Sequence, residues 1–157
     1  MDTFSHALYG KGFFGYRKYR WASFLFGVIP DLSSFGIYFT VRLFSGSLQF
    51  GRPAIQEIPI WVTELYNISH SIITAFILIC ITYLINKDLA WPMLAWPVHI
   101  IVDLLTHSVE FFPTPIFWPL SDYRFDGVPW SNIYVFITNI ILIFLIFFYR
   151  RKINSKT

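Results

Sequence analysis

The sequence predicts an all-α membrane protein: a bundle of about four transmembrane helices with a short N-terminal helix that is only half inserted. Of its 157 residues, 55% are hydrophobic and only 13% are charged, and the mean hydropathy is +0.55. The polar surface of a soluble domain requires more charged residues than this. A single membrane domain over residues 1–157 leaves no room for a separate catalytic domain, so any chemistry is expected in or beside the membrane.

Several apolar segments are long enough to cross a membrane, since about 20 helical residues cross a ~30 Å hydrocarbon core. The predicted spans are residues 21–41, 65–86, 89–109 and 131–149. Pro30 predicts a kink or break in the first span, because proline removes a backbone donor. The apolar segment 3–16 is too short to span and predicts the half-inserted helix. The predicted outer loops are residues 43–64 and 111–130.

The distribution of lysine and arginine predicts the orientation of the chain, because cytoplasmic loops accumulate these residues. With the turn 16–20 inside, only Arg42, Arg52 and Arg124 lie outside. The basic residues inside are Lys11, Arg17, Lys18, Arg20, Lys87, Arg150, Arg151, Lys152 and Lys156. Both termini are then cytoplasmic. These residues lie at the ends of apolar segments, which argues for membrane lipids and against nucleic acid as partners.

Ionisable side chains within the spans indicate a functional site. Each costs about 2.5–3.5 kcal/mol in the bilayer, so such residues normally face the interior of the bundle. His99, Asp103 and His107 are spaced i, i+4, i+8, which predicts three ligands on one face of a helix. Imidazole nitrogen and carboxylate oxygen together favour zinc, or a neighbouring transition ion, over calcium or magnesium.

Further ligand-type residues are predicted at a similar depth in the membrane. His6, Asp31 and His99 each lie 11 residues from a charged residue at the predicted cytoplasmic edge, which is roughly 17 Å of helix. Asp103 and His70 lie 15 and 17 residues from that edge, or roughly 22–25 Å. We therefore expect these side chains, drawn from separate segments, to converge between the middle of the membrane and its outer leaflet.

Each of these residues can also have a purely structural role that involves no metal. A histidine within the membrane, such as His70, can join helices by hydrogen bonds without binding a metal. Asp31 can cap the helix that resumes after it. His107 lies near the outer end of its helix and can be a solvated end residue.

Polar residues beside the predicted ligands also have two interpretations. Ser69 and Ser71 either orient the neighbouring histidine or, as is common in membrane helices, bond backbone carbonyls. Arg124 either grips a phosphate or pairs with Asp122 or Asp126.

Five short motifs occur in an order that resembles a known family. They are Ser5-His6-Ala7-Leu8, Pro30-Asp31, Ser69-His70-Ser71, His99-x-x-x-Asp103-x-x-Thr106 and Phe117-Trp118-Pro119-Leu120. Over most of residues 3–130 this order resembles the YdjM-like family of inner-membrane metal-dependent hydrolases, which is distantly similar to zinc-dependent phospholipase C and related nucleases. The sequence departs from the family at Ser33, where the family has a second aspartate.

The resemblance implies a location in the inner membrane of the cell and a zinc cluster of one or two ions. It implies that Asp31, His70, His99 and Asp103 hold one ion, and that Asp103 bridges to a second ion that His6 helps to bind.

Together, the residues and the resemblance predict a membrane-embedded hydrolase of a phosphoester or related ester in a lipid-like substrate. Its divalent metal, most simply zinc, lowers the pKa of bound water to about 7. Asp31 and Asp103 are the predicted catalytic carboxylates, with Asp31 or another carboxylate that does not bridge metal ions taking the proton of the water. A metal or proton permease is an alternative, because a row of histidine and aspartate also suits an ion pathway. A non-catalytic membrane scaffold is a second alternative.

Overall fold

The computed structural model describes residues 1–49 and 51–154, which form helices and loops and contain no strand. The α-helices are α1 (Thr3–Phe14), α2 (Ala22–Asp31), α3 (Ile37–Phe44), α4 (Ile60–Ser69), α5 (Ile72–Ile85), α6 (Lys87–Met93), α7 (Ala95–Thr106) and α8 (Ile133–Asn154). A π-helical turn, Leu32–Gly36, joins α2 to α3, and a 3₁₀ turn, Ile55–Glu57, precedes α4. The prediction of an all-α protein is confirmed for these residues.

Long apolar helices give the chain the character of a membrane protein. Three helical stretches among the described residues have the length and composition to cross a bilayer: Ala22–Phe44, Lys87–Thr106 and Ile133–Ile153. Helices α4 and α5 form a fourth candidate, but they bend by 56° at the break between them. The described residues therefore contain three candidate spans, or four if the bent pair counts as one.

The prediction for Pro30 was a kink or a break, and the break is wrong, because the first long helix continues through this residue. Its next turn is π-helical, a local widening that accommodates the missing amide donor of a proline. The hydroxyls of Ser33 and Ser34 donate to the carbonyl oxygen of Pro30 over 2.9 and 3.2 Å. The stretch from α2 to α3 is consequently one helix that carries Asp31 at its centre.

The second predicted span, 65–86, is broken where a continuous helix was expected. Helix α4 begins earlier, at Ile60, within the predicted outer loop 43–64. It ends at Ser69, and Ser71 starts α5 as an N-cap, its hydroxyl accepting from the amide of Thr74 over 3.3 Å. A serine hydroxyl competes for backbone donors in this way at helix starts. His70 therefore lies at a buried corner between two helices.

The third predicted span, 89–109, corresponds to α6 and α7, which ends at Thr106. His107 caps α7 in an extended conformation, with φ −111° and ψ 134°. The prediction that one helical face carries three ligands is therefore wrong for His107. Only His99 and Asp103 lie one turn apart within the helix.

The loop 111–130, which was predicted to lie on the outer side and is called the outer loop below, contains no regular helix and folds back onto the end of α7. The amides of Gly127, Val128 and Trp130 donate to carbonyl oxygens of His107, Leu105 and Thr106. These bonds satisfy the carbonyls that the end of a helix leaves without partners. The loop is thereby held over the end of the bundle near His107.

The two ends of the chain keep their predicted helices with shifted bounds. Helix α1 covers most of the segment 3–16, and α8 extends the predicted span 131–149 through the basic residues that were expected to stop it. Lys156, one of the predicted cytoplasmic residues, lies outside the described part of the chain. The orientation of the bundle in a membrane stays a prediction.

Close packing of α1 against α2 positions the functional residues. A methyl group added at Gly27 would lie 2.5 Å from the carbonyl oxygen of His6, and one added at Gly10 would lie 2.3 Å from that of Ser23. Only glycine permits backbones to approach so closely. Helix α1 also contacts α7 and α8, so His6 is carried into the centre of the bundle.

Candidate metal centre

Four side chains from separate elements meet inside the bundle. Asp31 ends α2, His70 lies at the corner between α4 and α5, and His99 and Asp103 lie on α7. Each offers one ligand atom, and these four atoms all lie within 4.8 Å of one another. The side chains of His70, His99 and Asp103 are fully buried, whereas 18% of the Asp31 side chain is exposed. Such a group could hold a metal ion.

The distances among the four atoms fit one small ion. The Nε2 atoms of His70 and His99 are 3.2 Å apart. Their distances to Asp31 Oδ1 are 3.5 and 3.6 Å, and those to Asp103 Oδ2 are 3.5 and 3.3 Å. Tetrahedral ligands at 2.0–2.2 Å from a central ion are separated from one another by about 3.3–3.6 Å. The observed spacing therefore agrees with that of ligands around a single tetrahedral ion.

Hydrogen bonds to backbone carbonyls fix the orientation of both imidazoles. Nδ1 of His99 lies 2.7 Å from the carbonyl oxygen of Gly27, and Nδ1 of His70 lies 3.1 Å from that of Tyr66. A carbonyl oxygen only accepts, so each Nδ1 carries the hydrogen and donates. Nε2 is then the free ring nitrogen of each imidazole when it binds a metal, and the two Nε2 atoms are 3.2 Å apart. Histidines that bind metals are commonly oriented in this way.

Asp103 adds a buried acceptor that nothing in the described chain satisfies. Its Oδ2 atom is inaccessible to solvent and accepts no hydrogen bond from a described residue. A buried carboxylate oxygen without a hydrogen bond is costly, even though the other oxygen of Asp103 contacts the Met1 amino group and His6. A cation among the four ligand atoms would remove that cost.

Thr3 positions the one exposed ligand. Its hydroxyl donates to Asp31 Oδ2 over 2.6 Å, which leaves Oδ1 directed toward the two histidines. The Asp31 side chain makes no capping bond with the helix that follows, so its interpretation as a helix cap is wrong.

Replacing Thr3 with valine is expected to weaken metal binding by about 10–100-fold, the usual effect of losing a group that orients a ligand. Competition with a chromogenic chelator measures this affinity. Thr40→Val is the matched control, because the Thr40 hydroxyl donates to the Gly36 carbonyl oxygen on an exposed face, and among the described residues it has no other hydrogen-bond partner. Equal affinities in the two variants would contradict a role for Thr3 in positioning Asp31.

The remaining predicted ligands, His6 and His107, lie against the other oxygen of Asp103. Nε2 of His6 is 2.8 Å from Asp103 Oδ1, and Nε2 of His107 is 3.5 Å from it. The amino nitrogen of Met1 also contacts this oxygen. The His6 ring stacks on that of His99 with centroids 3.7 Å apart. All the predicted site residues thus lie together, but His6 and His107 are outside the group of four.

The serines beside His70 both bond carbonyl oxygens. Ser69 donates to Pro30 over 3.1 Å, and Ser71 donates to Trp118 in the outer loop. Ser69 also lies 3.0 Å from Nδ1 of His70. The corner that carries His70 is therefore fixed to α2 on one side and to the outer loop on the other.

Sequence reasoning missed Thr3 and Tyr66. The Tyr66 ring stacks on His70 with centroids 3.8 Å apart. Its hydroxyl donates to the carbonyl oxygen of Phe112 over 2.9 Å and lies 3.2 Å from Nδ1 of His107. Neither residue belongs to a ligand type, and a tyrosine within an apolar helix has the pattern of an ordinary packing residue. No signal in a single sequence distinguishes them.

The fold and the site together define an all-helical protein with apolar, bilayer-length helices and a histidine–aspartate cluster that could hold a metal ion. Comparisons with protein-family models, with curated proteins and with solved structures found no match for this chain. The function of this chain is therefore inferred from the geometry of the cluster.

Proposed function

We propose that this protein is a membrane-embedded, metal-dependent hydrolase with one zinc ion bound by Asp31, His70, His99 and Asp103. The observation that carries the proposal is the approach of two buried Nε2 atoms to 3.2 Å beside two carboxylate oxygens. Two nitrogen and two oxygen ligands at tetrahedral spacing suit zinc. The resemblance of the motifs to the YdjM-like hydrolases supports the same function.

One ion is proposed instead of the two that the resemblance allows. A second ion would have to bind through Asp103 Oδ1 and His6. That oxygen already has nitrogen atoms of His6, His107 and Met1 around it, at hydrogen-bonding distance or slightly beyond. His6 and His107 then act on the ion indirectly, by holding the carboxylate of Asp103.

Asp31 marks the side from which water and substrate would reach the ion, because it is the only one of the four ligands with an exposed side chain. A catalytic zinc has an open position for water beside three protein ligands, and Asp31, the partly exposed one of the four, is the ligand that would give up its place. Zinc bound here supplies an acidified water and polarises a phosphoryl oxygen. Asp31 would take the proton of the reacting water with the oxygen that no longer holds the ion, since its side chain is the only partly exposed one among the four.

Arg124 supports a phosphoester as the substrate. Its Nη2 donates to the side-chain oxygen of Asn67 over 3.4 Å, one helical turn before His70. Its Nη1 is buried and has no hydrogen-bond partner among the described residues. The alternative pairing with Asp122 or Asp126 is not observed in this part of the chain. A guanidinium with unused donors is well suited to a phosphate group.

The position of the cluster along the bundle supports a lipid-like substrate. Helix α1 has 12 residues and is therefore about 18 Å long. It begins beside the metal ligands and ends at the basic residues that follow Phe14. If those residues lie at the cytoplasmic surface, the cluster lies well inside the bilayer, where a lipid enters laterally.

Elemental analysis of the purified protein tests the proposal. We expect about one zinc per chain, as for other sites with four protein ligands. The zinc-loaded protein should also hydrolyse a chromogenic phosphodiester, and it should lose this activity when the metal is removed. A protein without bound transition metal would contradict the proposal. Metal flux into proteoliposomes without hydrolysis would contradict the enzyme and favour a permease.

A further inference from the structure

A basic groove lies at the end of the bundle opposite the start of α1. It is formed where α1 ends, α2 begins and α8 ends, and its volume is about 720 Å³. Four of its lining residues are cationic: Lys11, Arg20, Arg150 and Arg151. They come from three separate parts of the chain, so the fold brings together charges that the sequence keeps apart.

No carboxylate among the described residues neutralises this groove. In the part of the chain that the structure describes, two ion pairs join a lysine or arginine to an acidic side chain, Lys18 with Asp88 and Arg42 with Glu57, and none of these residues lines the groove. Arg150 donates to the carbonyl oxygens of Lys11 and Gly12 at the end of α1 and lies 5.1 Å from the centre of the Tyr16 ring, so it is opposed there by the helix dipole and by an aromatic face and not by a carboxylate of a described residue.

Crowding of like charges is strongest at Lys11. Its ammonium group donates to the carbonyl oxygen of Arg20 over 3.0 Å and lies 3.8 Å above the Trp21 ring. Burial, followed by the charges of Arg20 and Arg150, lowers the pKa of Lys11. Concentrated positive charge in a groove attracts an anion.

Aromatic and apolar neighbours indicate that the anion belongs to a lipid. Trp21 and Tyr16 are 64% and 52% exposed beside the groove, and exposed tryptophan and tyrosine are typical of the headgroup level of a membrane. The adjoining surface of α8 exposes Phe144 and Phe148. An acyl chain can lie along this surface while its phosphate lies among the cations.

We propose that this groove binds the headgroup of an anionic phospholipid. The groove is distinct from the metal centre, so this lipid is a structural partner and not the substrate. Basic pockets between the ends of membrane helices bind anionic headgroups in two ways: guanidinium groups donate hydrogen bonds to the phosphate, and the positive electrostatic potential of the pocket attracts it.

The test compares two double variants that remove equal charge from the same end of the bundle. Arg20→Gln with Arg151→Gln removes two groove cations whose side chains are exposed. Arg17→Gln with Lys18→Gln removes two cations outside the groove, since Arg17 lies 3.6 Å above the Trp91 ring and Lys18 pairs with Asp88. Each protein is reconstituted into mixed vesicles of phosphatidylcholine and phosphatidylglycerol.

Electron paramagnetic resonance of spin-labelled lipids measures the preference for phosphatidylglycerol over phosphatidylcholine. We expect the native protein and the Arg17, Lys18 variant to share a clear preference. The Arg20, Arg151 variant should lose about fivefold in relative affinity for each charge removed. Equal losses in both variants would show general attraction of a basic surface and overturn the proposal, as would no preference in the native protein. Equal unfolding temperatures in phosphatidylcholine alone confirm that both variants fold.

Discussion

Replacing His99 with alanine is expected to abolish zinc binding and to lower the thermal unfolding temperature strongly. The substitution removes one of four ligands, and it leaves Asp103 Oδ2 buried without the imidazole of His99 and without the ion that this oxygen would bind. Breaking a buried charged network by removing one partner costs about 3–5 kcal/mol. Elemental analysis measures the zinc content, and thermal unfolding with and without a chelator measures the contribution of the ion.

His6→Ala is the matched control for this experiment. His6 is equally buried and contacts the same carboxylate, but through Asp103 Oδ1 and outside the group of four ligand atoms. We therefore expect the His6 variant to retain zinc with reduced affinity, whereas the His99 variant retains none.

An opposite outcome has a definite structural meaning. A protonated imidazole could also hold Asp31 and Asp103 together without any metal. In that case a chelator would leave the unfolding temperature of the native protein unchanged, and the His6 and His99 variants would be destabilised alike. The cluster would then only join helices, as in the scaffold alternative.

The long helices were predictable because they depend on local composition. A run of about 20 apolar residues excludes most alternatives to a membrane helix, and the helices at Ala22–Phe44, Lys87–Thr106 and Ile133–Ile153 lie close to three of the predicted spans. The convergence of the ligand residues could be predicted for a similar reason. The depth of a side chain in the membrane follows from the number of residues between it and the charged end of its helix, at a fixed rise per residue. Polar side chains at equal depth in a small bundle are then close to one another.

The corner at His70 was not predictable in the same way. Apolar residues continue on both sides of it, so hydropathy gives one span, and the break depends on the capping bond from Ser71 and on its contact with Trp118 in a distant loop. Long-range contacts also decide the position of His107, whose carbonyl oxygen accepts from Gly127 after α7 has ended. The i, i+4, i+8 spacing places residues on one face only while the helix continues. It gives no sign that α7 ends before His107.

Conversion of Asp31 to asparagine is expected to separate catalysis from metal binding. The amide oxygen of asparagine remains a weak ligand, and the three buried ligands hold the ion, so zinc should be retained with lower affinity. Asparagine cannot accept a proton from water, and the loss of a general base typically slows a reaction by about 10²–10⁴-fold. Phosphodiester hydrolysis by protein with a measured zinc content tests both parts.

Asp103→Asn provides the contrast, because it changes the carboxylate that is fully buried and contacts both His70 and His99. An amide there replaces a charge that lies between two imidazoles on one side and His6 on the other. We expect this variant to lose zinc and activity together. Asp88→Asn, at an exposed residue paired with Lys18, should lose neither. If Asp31→Asn remained fully active with zinc bound, the base would be another group, and the open side of the ion would not be the one that Asp31 exposes.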